Sequence, residues 1–243
     1  GFSYLEIEKQ ALKNNLLPLR YVRNLNTITI VDQLTLLNST ICIIGAGGLG
    51  GYIIEELARI GIGHIIIFDY DVFEEHNLNR QLYSDISNIG KTKIDITKDR
   101  IKNINPAIDI IKVLEPFNNE TEIKCFKEID VVIDALDNIQ TKIILGKYCH
   151  ENNLYLVHGA IAGWYGQIAV QPPGQNTVGK IYKNATYEKG IETDMGNPAF
   201  TPAVIASLQV SETIKILLNK KGSIKNKVYF IDLLNLNINQ IQM

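Results

Sequence analysis

The sequence predicts an α/β protein built on a doubly wound, Rossmann-like and mainly parallel sheet. A short apolar strand, a glycine loop and a helix follow one another between residues 40 and 60, which is typical of the start of such a sheet. Short apolar runs and helical patterns then alternate as far as residue 158, as expected of βαβ units. Two later runs favour antiparallel strands appended at the C-terminal end.

Two helical patterns and a polar, aromatic connector precede the first strand, so residues 1–38 are predicted to form an N-terminal helical segment. Residues 39–243 are predicted to form the main domain, with a long turn-rich crossover loop at about 172–202. The predicted strands are 40–44, 65–68, 108–113, 131–134, 154–158, 166–171 and 228–234. The predicted helices are 5–14, 29–37, 52–60, 92–103, 120–126, 141–152 and 202–218.

The composition excludes several classes of function. A net charge of −2 and a hydrophobic fraction of 46% are typical of a globular protein and give no basic field that would recruit nucleic acid. The longest apolar runs are too short to span a bilayer, and the first residues lack the pattern of a secretion signal. Three scattered cysteines favour a reducing compartment over a disulfide framework, so we expect a cytoplasmic protein without a membrane partner.

The glycine loop has the form Gly-x-Gly-x-x-Gly, and its glycines are Gly45, Gly47, Gly48 and Gly50. Such glycines permit a tight turn, a close approach of backbone to phosphate, and close packing of helix on strand. Because the loop follows a strand and opens a helix, free N–H groups and the positive end of the helix dipole can meet an anion there. We therefore predict a nucleotide site, against the alternative of a tight turn without a ligand.

Polar side chains follow the second predicted strand. Asp69 and Asp71 stand at its carboxyl end, where an acidic residue normally binds ribose hydroxyls, although either could be only a strand-end cap. Asn77, Arg80 and Gln81 come next, and we expect these three side chains to lie beside the nucleotide's phosphates. A site for a redox dinucleotide has no evident need for them.

Two further charged groups point to a phosphate reaction. Lys93 stands near the start of a helix, where the dipole disfavours a cation unless an anion is close, and the alternative is a solvated charged loop. Asp137 follows the strand 131–134 and suits Mg²⁺, which prefers one or two carboxylates together with phosphate oxygens. Asn138 would cap the next helix, and Asp137 could likewise be only a cap. Together these groups describe attack on the α-phosphate of ATP.

On these residues the chain resembles the ThiF/MoeB/HesA family, the bacterial relatives of ubiquitin-activating enzymes. The resemblance runs from residue 20 to residue 234, and its motifs are highly specific in combination. They are Arg20-Tyr-Val-Arg23-Asn, Gly45-x-Gly-Gly-Leu-Gly50, Asp69-x-Asp71, Asn77-Leu-Asn-Arg80-Gln81, Gly90-Lys-x-Lys93, Asp134-x-x-Asp137-Asn138 and Ser207-Leu-Gln-Val-Ser-Glu212.

The resemblance implies that residues 39–243 form an adenylation domain that uses ATP and Mg²⁺. Its substrate would be the C-terminal glycine carboxylate of a small ubiquitin-like sulfur-carrier protein ending in Gly-Gly, adenylated with release of pyrophosphate. Arg23 would reach into the site of a partner subunit, which makes a homodimer part of the mechanism. The other implied roles are ribose binding by Asp71, phosphate binding by Asn77, Arg80 and Lys93, and magnesium binding by Asp137.

The cysteines depart from the family pattern. Many relatives bind structural zinc through two Cys-x-x-Cys pairs, and this chain has none, so we expect no zinc site. Many also carry a cysteine in the crossover loop, and residues 174–200 contain none. We therefore expect the reaction to stop at the acyl-adenylate. Cys42 and Cys149 are predicted to pack in the core, whereas the role of Cys125 is left open.

Two later regions allow more than one interpretation. The segment from Gly163 to Gly166 could line a channel for the carrier's C-terminal tail, or it could be a strand connection that places Trp164 in the core or a dimer interface. Gln209 and Glu212 lie one turn apart on the last predicted helix and could contact the carrier or the opposite subunit.

Three other functions compete with carrier adenylation. A nicotinamide-dependent oxidoreductase explains the glycine loop but gives Arg80, Lys93 and Asp137 no role. A related enzyme could adenylate a peptide carboxylate or a modified tRNA base without any cysteine, although no basic patch marks a tRNA surface and nucleic acid is not the expected partner. A non-catalytic binding module would retain the whole polar set without using it.

Overall fold

A computed structural model describes residues 1–118, 120–121, 128–183, 185, 195–225 and 227–242. Its centre is a sheet of eight strands in the order β3-β2-β1-β4-β5-β6-β7-β8. The strands are β1 (Thr40–Ile44), β2 (His64–Phe68), β3 (Asp109–Val113), β4 (Val131–Asp134), β5 (Tyr155–Ala162), β6 (Tyr165–Gln171), β7 (Lys227–Asp232) and β8 (Asn237–Gln242). The helices are α1 (Tyr4–Lys13), α2 (Ile30–Asn38), α3 (Gly48–Ile60), α4 (Lys93–Ile104), α5 (Ile139–Glu151), α6 (Thr177–Ile181) and α7 (Phe200–Leu217).

The sheet has a parallel and an antiparallel part. The neighbours among β3, β2, β1, β4 and β5 are parallel. The pairs β5–β6, β6–β7 and β7–β8 are antiparallel. The strand order reverses between β1 and β4, which opens a crevice at the carboxyl ends of these two strands. The predicted fold class, a doubly wound and mainly parallel sheet with antiparallel strands at its C-terminal end, is confirmed.

The core lies on both faces of the sheet, because the parallel strands are runs of apolar residues that can be buried on either side. Ile41 and Ile43 of β1 pack in a cluster with residues of α3, α4 and α7. Cys42 and Ile44, which point to the opposite face, pack with residues of α5 and α6. The sheet therefore sits between two helical layers, and the parallel strands end at a common edge.

A buried polar cluster ties the N-terminal segment to the main sheet domain. Tyr21 is fully buried, and its hydroxyl accepts a hydrogen bond from Asn105 Nδ2 at 2.8 Å. The same hydroxyl donates to Glu8 Oε2 at 3.3 Å, and Glu8 forms an ion pair with Arg20. These contacts join α1 and the following 3₁₀ turn to the end of α4. The domain boundary after residue 38 stays a prediction.

Some elements differ from those expected. The short helix α6 lies inside the predicted crossover loop, where the Asn176 side chain caps it by accepting a hydrogen bond from the Gly179 N–H at 2.9 Å. The six residues of β8 are all exposed and pair with β7 through the backbone, so no hydrophobic alternation marks this strand. The predicted helix 120–126 lies almost entirely outside the described residues.

The remaining predicted elements form within a few residues of their expected ends, except that α3 begins at Gly48 rather than at residue 52 and β5 continues to Ala162. In the parts of the chain that the structure describes, no helix has both the length and the apolar character needed to cross a membrane.

Candidate active site

A cavity of about 960 Å³ lies at the carboxyl ends of the parallel strands. It is lined by the glycine loop, by the segments that follow β2 and β4, and by residues of β5 and β6. The cavity brings together most of the predicted site residues: Gly45, Gly47, Gly48, Asp69, Asp71, Arg80, Gln81, Lys93 and Asp137. Gly50, Asn77 and Arg23 do not line it.

The glycine loop is shaped by close backbone contacts. Gly45 has a φ of +103°, and a Cβ atom there would lie 2.6 Å from the carbonyl oxygen of Ala135. A Cβ atom on Gly50 would lie 2.0 Å from the carbonyl oxygen of Gly45. Gly50 therefore lies beneath the loop, while Gly47 and Gly48 face the cavity at the start of α3. The free N–H groups of that helix start can bind an anion.

The two acidic residues after β2 have different partners. Asp69 accepts hydrogen bonds from the Ala46 N–H at 2.7 Å and from the Asp71 N–H at 2.9 Å, so it fastens the glycine loop. Burial raises the pKa of Asp69 above its ordinary value, although these donors and Lys93 act against the rise. Asp71 is half exposed and forms an ion pair with Lys93 at 2.8 Å. Asp71 is thus the more accessible of the two carboxylates.

Two cations reach the cavity from different sides. Lys93 lies at the start of α4 with a buried side chain, and Asp71 is its partner. The Arg80 guanidinium donates to the His76 carbonyl at 3.0 Å and to Asn79 Oδ1 at 2.8 Å. Within the described residues it forms no ion pair with a carboxylate. Its positive charge is therefore not neutralised by an acidic side chain there.

The two amide residues of the predicted phosphate cluster are buried. Asn77 Oδ1 accepts a hydrogen bond from the Glu74 N–H at 3.0 Å, which holds the turn before Arg80. Asn77 borders a smaller cavity of about 300 Å³ that it shares with Asp71 and Lys93. Gln81 lines the large cavity, and its Oε1 has no hydrogen-bond partner among the described residues. Gln81 is therefore a buried part of the cavity wall whose carbonyl oxygen is left unpaired.

Asp137 is exposed at the cavity, three residues beyond the end of β4. It makes no hydrogen bond or ion pair within the described part of the chain. Asn138 caps α5 by accepting a hydrogen bond from the Thr141 N–H at 3.0 Å. The described residues contain no group of three or more possible protein ligands for a metal. A single free carboxylate fits Mg²⁺ that is bound chiefly through phosphate oxygens, rather than a cage made only of protein ligands.

A buried ionic cluster beneath the cavity was not found from the sequence. Lys142 Nζ lies 3.0 and 3.2 Å from the two carboxylate oxygens of Asp134 and donates to the Gly159 carbonyl at 2.8 Å. His158 Nδ1 lies 2.6 Å from Asp134 Oδ2. A lysine on a helix normally predicts solvent exposure, so the pattern offered no signal for Lys142. The motif Asp134-x-x-Asp137-Asn138 predicts a site role for its second aspartate, and the structure shows that its first is the buried partner of Lys142.

Burial acts in opposite senses on the two titratable partners of this cluster. Burial pushes the pKa of Asp134 up, but Lys142 and His158 outweigh it and hold the pKa of that carboxyl below its ordinary value. Burial lowers the pKa of His158 more than the Asp134 carboxylate raises it. The cluster therefore contains an ionised carboxylate, its lysine and a neutral imidazole.

Arg23 is exposed in the 3₁₀ turn Leu19–Asn24 and does not border the chain's own cavity. Cys42 and Cys149 are buried free thiols that do not line the cavity either, and burial raises the pKa of both. Their predicted core position is confirmed. Cys125 lies outside the described residues.

The structure gives the surroundings of Trp164 and of the pair Gln209 and Glu212. Trp164 is 45% exposed and packs on Phe200 with 4.5 Å between ring centroids, so it is not a core residue. Gln209 is fully buried and donates to the Asp134 and Val157 carbonyls, and Glu212 is 3% exposed. The suggestion that Gln209 and Glu212 contact another protein is wrong, because the chain's own sheet and helix layer cover them.

The fold and the cavity define a nucleotide-binding α/β protein with cations and a free carboxylate around the glycine loop. The chain belongs to the ThiF family, because the sequence model of that family matches residues 21–243. The resemblance drawn from the motifs is confirmed, and the relatives of this chain include enzymes named as adenylyltransferases.

Several known proteins are similar to this chain. The "Adenylyltransferase and sulfurtransferase MOCS3" of Culex quinquefasciatus is 31% identical over 88% of this chain and 50% of its own length. The "SAMP-activating enzyme E1" of Haloferax volcanii is 28% identical over 85% of this chain and 77% of its own length. The "tRNA threonylcarbamoyladenosine dehydratase" of Bacillus subtilis is 40% identical, over 51% of this chain and 49% of its own length.

Among solved structures, E. coli MccB with ATP has a TM-score of 0.80 and 23% identity, covering 93% of this chain and 72% of that one. This likeness shows the fold. The chain spans about half the length of the MOCS3 relative, which has further sequence that this chain does not match.

Proposed function

We propose that this protein uses ATP to adenylate the C-terminal glycine carboxylate of a small ubiquitin-like sulfur-carrier protein and releases pyrophosphate. The observation that carries the proposal is that Arg80, Lys93 and Asp137 line one cavity together with the glycine loop. Relatives named as an adenylyltransferase and as a SAMP-activating enzyme support the same reaction class.

Each lining group has a role in this reaction. The N–H groups at the start of α3 bind phosphate oxygens, and Asp71 binds the ribose hydroxyls. Arg80 and Lys93, supported by Asn77 and Gln81, stabilise the negative charge that builds up on the phosphates. Asp137 would hold Mg²⁺, which supplies neutralising charge to the pyrophosphate when it is bound.

The chemical step needs positioning rather than proton transfer. An oxygen of the glycine carboxylate forms a bond to the α-phosphorus, and the bond from that phosphorus to the bridging oxygen breaks. Pyrophosphate leaves with the electron pair. The attacking carboxylate is already ionised at neutral pH, so no general base is required. Catalysis then rests on holding the two reactants in line and on the cations around them.

A homodimer completes the proposed site. Arg23 does not line the cavity of its own chain, so we assign it to the site of a second subunit. Exposed apolar side chains stand near it in the sequence, as expected at an interface, since Leu19, Val22 and Leu25 are 89, 42 and 40% exposed. The proposed compartment is the cytoplasm, because the two described cysteines are free thiols.

The proposed product is the acyl-adenylate. Neither described cysteine can attack it, because the cavity does not expose Cys42 or Cys149. A sulfur donor or a second enzyme would therefore consume the adenylate. A covalent thioester on this chain would count against this part of the proposal, and mass spectrometry after reaction with ATP-Mg and carrier would reveal it.

The first test is ATP–pyrophosphate exchange with a panel of ubiquitin-like proteins that end in Gly-Gly. We expect Arg80→Ala and Asp137→Ala to lower the exchange rate by at least about a hundredfold, because each removes a charge that acts on the reacting phosphates. Lys102→Ala and Asp99→Ala, which change exposed charges on α4, are the matched controls and should exchange like the wild type. Full exchange by the two site variants would refute the assignment of the site.

Two alternative functions can be tested with the same purified protein. Tight binding of NADH in place of ATP-Mg, measured by fluorescence titration, would indicate an oxidoreductase, although that function leaves Arg80 and Asp137 without a role. The Bacillus subtilis relative favours a second candidate, adenylation of a modified tRNA base. Conversion of threonylcarbamoyladenosine in tRNA, without exchange on any carrier, would identify that function.

A further inference from the structure

Gln167 connects the buried ionic cluster to the wall of the cavity. It lies on β6, is partly exposed and lines the cavity. Its Nε2 donates to the Tyr182 hydroxyl at 2.8 Å and lies 3.2 Å from His158 Nε2. Its carbonyl oxygen, Oε1, has no hydrogen-bond partner within the described residues.

The protonation of Asp134 and His158 determines whether the nitrogen or the oxygen of the Gln167 amide faces His158. Asp134 is ionised beside Lys142, so the His158 nitrogen that lies 2.6 Å from it carries the proton. Burial keeps the imidazole neutral, which leaves His158 Nε2 as an acceptor. The Tyr182 hydroxyl also lies 3.3 Å from this nitrogen, and of the two ends of the Gln167 amide only the nitrogen can donate to it. The orientation with Oε1 turned away from His158 is therefore the one that satisfies the cluster.

Lys142 adds no cation to this wall. Its three N–H groups are directed at the Asp134 carboxylate and the Gly159 carbonyl, so none is left for a phosphate. Tyr165 and Phe230, each 40% exposed, also line the cavity, and Phe230 stands opposite Gln167 in the β6–β7 register. Gln167 Oε1 thus stands as a hydrogen-bond acceptor between the rings of Tyr165 and Phe230, which suits a peptide backbone better than a charged group.

We propose that Gln167 Oε1 accepts a hydrogen bond from a backbone N–H in the C-terminal segment of the substrate. This inference rests on the proposed function and narrows it to substrates with an extended peptide end. Gln167 is a specificity-determining residue, and Asp134, Lys142 and His158 are positioning residues that hold its amide. The bond contributes to binding of the substrate's C-terminal segment and has no part in ATP binding.

The test combines a substitution of Gln167 with the replacement of a single backbone N–H in the substrate. The probe is the Gly-Gly-ending carrier that supports exchange, made semisynthetically in three forms. One form is native, and in the other two an ester oxygen replaces the N–H of the last or of the preceding peptide bond. The protein variant is Gln167→Met, which keeps the length of the side chain and removes the acceptor. Gln10→Met, on the exposed side of α1, is the control.

We expect one ester form to raise the KM of the wild type for carrier about tenfold, the usual size of one lost hydrogen bond. Gln167→Met should raise the KM for native carrier by a similar factor, and that same ester should cause no further rise. The KM for ATP-Mg and the kcat should stay within about twofold in every case. The Gln10→Met control should show the full ester effect.

Other outcomes overturn the proposal in distinguishable ways. If both esters cost the wild type nothing, or cost Gln167→Met the same factor as the wild type, the inference fails while carrier adenylation stands. The negative wild-type result needs no variant, so it overturns the inference whether or not Gln167→Met folds. If no carrier supports exchange, the proposed function fails and the inference fails with it.

Discussion

Asp69 fastens the glycine loop to the end of β2. Its two oxygens accept hydrogen bonds from the N–H groups of Ala46 and Asp71. The same carboxylate therefore orders the loop, while Asp71 stays half exposed beside Lys93. The residues themselves place both acids at the strand end, and only the family resemblance assigns the ribose to Asp71. The contacts of Asp69 with the loop depend on backbone geometry, which no sequence pattern shows.

The lowered pKa of His158 predicts that the free energy of unfolding decreases at acidic pH. Its pKa in the folded protein lies below the ordinary 6.5, so the unfolded chain takes up this proton first as the pH falls. The stability is therefore complete above about pH 6.5 and decreases below it, with a slope of up to about 1.4 kcal/mol per pH unit. Asp134 acts only at lower pH, because its folded pKa lies below 3.8.

Urea unfolding of the wild type and of His158→Gln at pH 7.5, 6.5 and 5.5 measures this contribution. We expect the variant to be less stable at pH 7.5 and to lose less stability than the wild type between pH 6.5 and 5.5. Equal pH slopes for the two proteins would show that His158 has the same pKa in the folded and the unfolded protein, which would contradict the lowered pKa.

At the scale of elements, the turn that joins β1 to α3 depends on Gly50 but not on its neighbour Gly51. Gly50→Ala would place a Cβ atom 2.0 Å from the Gly45 carbonyl oxygen, and backbone cannot yield cheaply. Gly51→Ala would place it 3.5 Å from Leu82 Cβ, an ordinary contact. The two substitutions add the same methyl group to adjacent positions of one helix, so they form a matched pair.

We expect Gly50→Ala to lower the free energy of unfolding by about 2 kcal/mol or more and to weaken ATP binding, because the loop must move. Gly51→Ala should change stability by less than about 1 kcal/mol, in the stabilising direction, since alanine favours the helix. Denaturant unfolding and calorimetric titration with ATP-Mg check both. Equal effects of the two alanines would contradict the packing described for the loop.

Strands and helices with a clear hydrophobic pattern could be predicted from the sequence. Elements that form only through contacts with distant parts of the chain could not. The runs of β1 and β4 match their predicted bounds because nearly every side chain in them is buried. β8 carries no such pattern, since its partner strand alone defines it. Lys142 and His158 could not be assigned from the sequence for a similar reason. Their meeting at Asp134 depends on how α5 packs against β4 and β5, which no local pattern shows.

At the scale of the whole molecule, the assignment of Arg23 predicts complementation between two inactive proteins. Arg23→Ala and Arg80→Ala should each lose exchange activity as homodimers. A mixed dimer contains one site with both arginines intact, supplied by different chains. After the two variants are mixed and allowed to exchange subunits, about a quarter of the wild-type activity should return, as symmetry requires.

The mixing experiment needs Arg80→Ala with Asp137→Ala as its control pair, because both defects there lie in the same cavity. In that pair every mixed dimer has one defect in each site, so no activity should return. Recovery in the control pair, or none in the first, would remove Arg23 from the proposed mechanism.

The polar last strand has a consequence for how the protein behaves at high concentration. One edge of the sheet is β8, whose sequence Asn-Ile-Asn-Gln-Ile-Gln carries no charge and no proline. Its outer backbone groups are not paired within the described sheet, and both isoleucines are more than half exposed. Folded proteins usually protect such an edge with charged side chains, proline or a bulge. This edge has none of these in its six residues, so it is the surface from which unwanted strand-to-strand association would begin.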